Sequence, residues 1–219
     1  MGLLGKLFGG DGERRPEPVP PGSGARTLLL GGAGEGAERM RKTRPRLVVA
    51  DIRRGEGVDL VADLSRPFPF RDGSFAEIVS LEFIEHIPHP DFPTLLAECA
   101  RVLAPGGRWI SGCPDLEALA GMFGAQCDCV KKWQADPSCP LCGGKARIST
   151  SRWLKSVFGN QEDYGDDRVA DSHRNGFWFA RLEGLLRAAG MTEIRRGNAA
   201  DWYSDGKAGI KLVVEAIRR

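Results

Sequence analysis

The residues with the plainest chemistry in this chain are four cysteines, Cys127, Cys129, Cys139 and Cys142, in the run CDCVKKWQADPSCPLCG. A C-x-C pair followed by a C-x-x-C pair lets two knuckles converge on one ion. Four thiolates suit a tetrahedral zinc of the structural kind. Lys131 and Lys132 lie between the pairs and would moderate the thiolates' charge. Zinc here would staple a small lid that has little core of its own. A redox dithiol, an iron–sulfur cluster and plain reduced cysteines are the alternatives. The other two cysteines read as core: Cys99 falls on the apolar face of a predicted helix and Cys113 ends a predicted strand.

A second group of residues suits a ligand rather than a metal. In Arg26–Gly36, RTLLLGGAGEG, three leucines run without alternation and glycines follow at 31, 32, 34 and 36. The leucines suit a strand buried on both faces. The glycines permit positive φ and close approach to the backbone. The next helix would then open with its amides facing a space fit for a carboxylate or phosphate. A bare strand-to-helix turn has the same composition, so a nucleotide-like cofactor and an empty turn both fit this stretch alone. Leu47–Ala50, LVVA, is a second buried strand and ends at Asp51. An acid there, about 20 residues past a glycine turn, can accept both ribose hydroxyls of an adenosine. A helix cap or a surface Asp is the plainer alternative.

These residues need a framework to hold them. The chain has 219 residues, of which 42% are hydrophobic and 27% charged, which suits one soluble α/β domain with an insertion. A net charge of +2 does not argue for nucleic acid. No apolar run approaches the roughly 20 residues that span a bilayer. Met1–Gly10 is too short and glycine-rich for a secretory signal, and Lys6 stands where a myristoylation signal wants Ser or Thr. Residues 11–25 hold four prolines and three glycines, so 1–25 read as a disordered tail or linker and the domain as 26–219.

Further strands are expected at Val58–Ala62, Glu77–Ser80 and Arg108–Ser111. Helices are expected at Glu35–Arg44 and Asp91–Leu103, the second with Phe92, Leu95, Leu96, Cys99 and Val102 on one face. Arg39, Arg41, Lys42, Arg44 and Arg46 read as the solvated basic end of the first helix. Arg53–Gly57 is too short for a crossover helix.

In order, LLLGGAGEG, ADIRRGEGVDLVADLSRPFPFRDGSFAEIVSLEFIEHI and LLAECARVLAPGGRWISGCPD resemble the class I S-adenosylmethionine-dependent methyltransferases, in particular the type 11 methyltransferase domain group. The resemblance covers 26–115 and resumes at His173–Gly190, which looks like the helix before that family's final hairpin, here expected at Met191–Gly197 and Ile210–Ile217. It implies a Rossmann-like sheet, mostly parallel with a C-terminal antiparallel hairpin, carrying residues 116–172 as a cysteine-rich lid insertion. It also implies S-adenosylmethionine as cofactor, a cytoplasmic setting and reduced cysteines.

Carried over by position, Gly32, Gly34 and Gly36 would line the methionine part of the cofactor. Asp51 would hold the ribose and Ile52 would pack on the adenine. Asp63 and Leu64 would sit at the adenine edge, and Ser80 and Leu81 beside the sulfonium. Leu30 and Ala76 depart from the family's pattern, which often has a polar residue at each.

The sulfonium is already activated, so transfer needs alignment, and an oxygen nucleophile also needs a base. Glu85 and His86 follow the fourth strand, near where the methyl would be presented, and His86 has a suitable intrinsic pKa. His173, in DSHRNGF, is a further catalytic candidate. The plainer reading is that Glu85 and His86 only brace the next helix. Trp133, Trp153, Phe158, Tyr164 and Phe177–Phe179 divide between lid core and the wall of an acceptor pocket. The expected function is methyl transfer to a small molecule, at oxygen before nitrogen or carbon, with neither nucleic acid nor stable membrane insertion involved. A protein or RNA methyltransferase, or a non-catalytic member of the same fold, are the alternatives.

Overall fold

The computed structural model describes residues 26–32, 35–159, 171–203 and 206–219, without the side chains of 35 and 36. The expected tail over 1–25, Gly34 and Tyr164 fall outside the described residues.

Seven strands form one sheet in the order β3-β2-β1-β4-β5-β7-β6. They are β1 (Thr27–Leu30), β2 (Leu47–Asp51), β3 (Leu60–Val61), β4 (Phe75–Leu81), β5 (Leu103–Pro114), β6 (Met191–Arg196) and β7 (Lys211–Arg218). The first five are parallel where they pair, and β7 runs antiparallel to both β5 and β6. The main helices are α1 (Glu35–Arg41), α2 (Phe92–Val102), α3 (Leu116–Ala120), α4 (Thr150–Phe158) and α5 (Phe179–Ala188). From β1 the chain first builds outward through β2 and β3, then returns to the other side of β1 with β4. The carboxyl ends of β1 and β4 therefore diverge into a crevice, the usual ligand position in an open parallel sheet.

The unalternating leucines of β1 follow from this position. Leu28 and Leu30 face one apolar layer, with Ile78, Phe92, Leu95 and Trp109. Leu29 faces the other, with Val49, Val79, Ile110 and Val213. Burying each such side chain is worth about 2 kcal/mol. α2 presents to the first layer the same five residues expected from its spacing. Leu30 is fully buried there, which accounts for an apolar residue at that position.

Several boundaries moved. β3 is reduced to two paired residues, because the chain reaches this edge late, after a loop that turns at Gly57 (φ 77°). β5 starts at Leu103 and runs through Pro105-Gly106-Gly107, which composition marks as a helix stop. An irregularity in its pairing opposite Phe75–Glu77, with Gly106 at φ 74°, absorbs the extra residues. Two members of the basic cluster tie the fold together rather than standing free in solvent. Arg41 pairs with Asp59 at 2.8 Å, and Arg44 reaches Glu77 at 2.5 Å. Glu77 also binds Arg108 at 2.6 Å. Burial would raise the Glu77 pKa, and the hydrogen bonds from Arg44 and Arg108 more than reverse this, holding the carboxylate below its ordinary value.

The insertion is anchored to the sheet by its caps. Asp115, just past β5, accepts from the Glu117 amide at 3.0 Å to start α3, and Ser149 accepts from the Arg152 amide at 3.3 Å to start α4. Leu119, Met122, Ile148 and Ile210 make the lid's own core, with Trp133 and Trp153 packed against them. Trp153 donates its indole N–H to the Leu119 carbonyl at 2.9 Å. Phe177 is fully buried in the main core. Trp133 and Phe177 are thus core rings, while Trp153 also lines an apolar pocket of about 590 Å³ with Phe123 and Trp178.

Candidate active site

A cavity of about 590 Å³ lies along the carboxyl ends of β1 to β4, within the range of small-molecule sites. Its floor is the glycine turn. Gly31 takes φ 63°, and a Cβ on Gly32 would come 2.6 Å from Leu29 Cδ2, so neither position admits a side chain without a shift. Asp51 closes β2 almost completely buried. Its Oδ2 accepts from the Gly32 amide at 3.1 Å and its Oδ1 from the Arg53 amide at 2.9 Å. These bonds lock the carboxylate against the turn at the cavity wall. Ile52, beside it, leaves 60% of its surface bare, a cost that a flat ring packed on it would remove. Asp63 and Leu64 line the same cavity. The Asp63 carboxylate accepts from the Ser65 hydroxyl at 2.6 Å, which holds its pKa below the ordinary value.

Of the nine cofactor positions, five line this cavity: Gly32, Asp51, Ile52, Asp63 and Leu64. Gly36 lies in the first turn of α1. Ser80 and Leu81 point elsewhere. Ser80 is fully buried and hydrogen-bonds Ser111 between β4 and β5 at 2.9 Å, while Leu81 packs toward Trp202 and Tyr203.

The residue of β4's end that does face the cavity is the next one, Glu82. It takes φ 51°, an uncommon backbone conformation for a non-glycine residue. Tyr203 donates its hydroxyl to Glu82 at 2.8 Å, and Lys211 pairs with the other carboxylate oxygen. Glu82 was missed in the sequence, although a pattern pointed to it. An acid stands at the end of β2 (Asp51) and within two residues of the ends of β3 (Asp63) and β4 (Glu82). Tyr203 and Lys211 come from the C-terminal hairpin region and carried no such signal.

A second cavity of about 510 Å³ meets the first and shares Glu82, His86 and Asp171 with it. His86 is half-buried, and its Nδ1 lies 3.3 Å from the Ser172 carbonyl. A proton on Nδ1 satisfies that carbonyl and leaves Nε2 as the basic atom. Burial pushes the His86 pKa down, so the ring is neutral near pH 7 and able to accept a proton. His173 lines the second cavity with its ring edge-on to His86, centroids 5.0 Å apart. Its pKa is lowered as well, by burial first and then by His86.

Glu85 sits behind the pair and faces neither large cavity. It borders a void of about 10 Å³, and neither carboxylate oxygen has a hydrogen-bond partner among the described residues. Burial, then the nearby charge of Glu82, pushes its pKa well above 4.5. Its backbone carbonyl accepts from the amides of Arg174 at 2.8 Å and Asn175 at 3.0 Å, which seats the segment bearing His173 over His86.

The four cysteines of the insertion converge. Sγ of Cys127 is 3.6 Å from that of Cys139, Sγ of Cys129 is 3.4 Å from that of Cys142, and all four lie within 4.8 Å of one another. Sulfurs about 2.3 Å from a tetrahedral zinc would stand about 3.8 Å apart, so the cluster fits that ion. Amides turn back onto the knuckle carbonyls, from Val130 to Cys127 and from Gly143 to Cys139. Among the described residues, Val130, Ala135 and Ala146 are the apolar side chains packed around the sulfurs, too little to fold this loop by burial alone.

Residues 31–111 match the family model described as a methyltransferase domain. This segment holds the glycine turn, Asp51 and β4 through most of β5, and the seven-strand order around it is that of the same fold. Over these residues the chain is similar to that family. No curated protein matches the chain. Solved structures share its fold at low identity. A Burkholderia thailandensis 1,6-didemethyltoxoflavin-N1-methyltransferase, with its acceptor and S-adenosylhomocysteine bound, is 15% identical at a TM-score of 0.53, over 89% of this chain and 71% of that one. An S-adenosylmethionine-dependent methyltransferase from Mesorhizobium loti is 15% identical at 0.53, over 91% and 94%. A Haloferax volcanii complex of the Trm112 methyltransferase activator with a putative methyltransferase is 16% identical at 0.51, over 89% and 82%. Among the described residues no helix is long and apolar enough to cross a membrane.

Proposed function

We propose that this protein is an S-adenosylmethionine-dependent methyltransferase that acts on a small-molecule acceptor at an oxygen nucleophile, with His86 as the base. The observation that carries the reading is the meeting of two cavities at Glu82, His86 and Asp171, one of them built on the glycine turn and Asp51. S-adenosylmethionine, when bound, supplies an electrophilic methyl on a sulfonium. Asp51 would accept the ribose hydroxyls, Ile52 would take one face of the adenine, and Asp63 would accept from its exocyclic amine. His86 Nε2 receives the acceptor's hydroxyl proton as the oxygen attacks, and the charge this creates is offset by Asp171 and Glu82. Burial of His86 favours this role, since a base that is neutral at pH 7 is ready before the acceptor binds. His173 orients the His86 ring from its edge, and Glu85 fixes the segment that carries His173. A cavity of about 510 Å³ suits a small molecule better than a polymer, which needs an open groove. Cys127, Cys129, Cys139 and Cys142 hold a structural zinc that staples the lid over this cavity.

The test is methyl transfer from labelled S-adenosylmethionine to a panel of hydroxylated small molecules. His86→Gln should lower kcat about 100-fold or more while S-adenosylhomocysteine binds unchanged. Equal turnover by His86→Gln would remove the base, and transfer only to RNA or protein would remove the small-molecule reading.

A further inference from the structure

We infer that the acceptor is an anion, a phosphate- or carboxylate-bearing molecule whose charged group is held by Arg152, Lys155 and Lys207. This rests on the reading of the second cavity as the acceptor site. Four cations line that cavity, Arg152, Lys155, Lys207 and Lys211, against two carboxylates, Glu82 and Asp171, among the described residues. The charges are sorted along it. Both carboxylates and His86 are shared with the cofactor cavity and so stand at the junction. Lys211 is paired with Glu82 there. Arg152, Lys155 and Lys207 line the second cavity and not the first, so they stand outside that junction. They come from two segments far apart in sequence, α4 and the turn Lys207–Ile210 before β7. The fold therefore brings them together; they are not a local run of charge.

The surrounding groups suit the same ligand. Ser149, Ser151 and Ser156 add hydroxyl donors to the wall. Ser149 and Ser151 flank the start of the nine-residue α4, which puts the positive end of that helix at the cavity wall. Arg152 is braced by the Trp133 ring, 4.6 Å from its guanidinium carbon, which holds its planar fork in place. An acceptor with its anion on these cations would offer its hydroxyl to His86 at the junction. A cationic or wholly apolar acceptor would meet the wrong charge there.

The experiment is calorimetric titration of the full chain, at constant ionic strength, with inorganic phosphate in one arm and malonate in the other. S-adenosylhomocysteine is titrated in parallel. Saturable binding of at least one anion is expected, and the arm that binds tells phosphate from carboxylate. Arg152→Gln and Lys207→Glu should each weaken it about tenfold and leave S-adenosylhomocysteine unchanged. Lys207 is exposed, so its variant should fold even where the other does not. No saturable binding in either arm, or unchanged affinity in Lys207→Glu, overturns the proposal. Binding of RNA in place of both anions also overturns it. Loss of S-adenosylhomocysteine binding in the wild type would instead sink the cofactor reading, so the two failures are distinct.

Discussion

Replacing Glu85 by Gln should stabilise the protein, and by more the higher the pH. Both Glu85 oxygens are buried without a partner among the described residues, and burial followed by the Glu82 charge raises the pKa well above 4.5. The folded state therefore keeps a proton that the unfolded chain releases. A carboxyl raised in this sense contributes fully below its unfolded pKa. That stability is lost as pH climbs toward the folded value. Between the two, each pH unit costs up to about 1.4 kcal/mol. Gln has the same shape and cannot ionise. The variant's advantage over the wild type should grow by up to that amount per pH unit above about pH 5, then level off once the folded group ionises. For a domain of this size, 1.4 kcal/mol moves Tm by about 3–6 °C. Paired thermal melts of the two proteins from pH 5 to 9, at matched zinc content, measure it. The Glu85 carbonyl would still seat Arg174 and Asn175, so transfer should change only a few-fold. Parallel Tm curves for the two proteins would refute the reasoning and place a compensating partner on the carboxylate.

Three other outcomes are expected. The wild-type pH profile of kcat/KM should be flat above neutrality and fall on the acid side through an apparent pKa below 6.5, because burial lowers His86; a profile that falls only on the alkaline side would contradict this. Cys139→Ser should reduce bound zinc from one equivalent, read by elemental analysis, and melt the lid before the sheet, while S-adenosylhomocysteine binding at the sheet edge survives. Glu77→Gln should cost about 3 kcal/mol in urea unfolding, since Arg44 and Arg108 lose their shared carboxylate. That contribution is present above the unfolded pKa of a Glu and fades as pH drops through the lowered folded value, so the two proteins should converge in acid.

The sheet was legible because its strands are buried on both faces and so read as unbroken apolar runs, as in Leu28–Leu30 and Leu47–Ala50. The floor of the first cavity was legible for a related reason: glycines and an acid at strand ends have few other uses in this pattern. Ser80 and Leu81 were assigned to the cavity from position alone. An irregular turn at Glu82, with its positive φ, shifts the exposed position by one residue, and single-residue register does not follow from apolar periodicity. The cysteine cluster was visible from spacing, since ligand geometry is set by short knuckles. The cationic lining of the second cavity was not visible. Arg152, Lys155 and Lys207 meet only through the packing of α4 and Ile210 into the lid's core, and no local pattern encodes that contact.

The central claim is that an adenosine-bearing methyl donor lies across the crevice beyond β1 and β2, with Asp51 on its ribose. Calorimetry of S-adenosylhomocysteine with the wild type and with Asp51→Asn tests it directly, with melts to check that the Gly32 and Arg53 contacts of residue 51 still hold. Loss of charge-assisted bonds to two hydroxyls is worth about 2–4 kcal/mol, so binding should weaken by about 30- to 1,000-fold. No binding by the wild type, or equal affinity in the folded variant, would contradict the account.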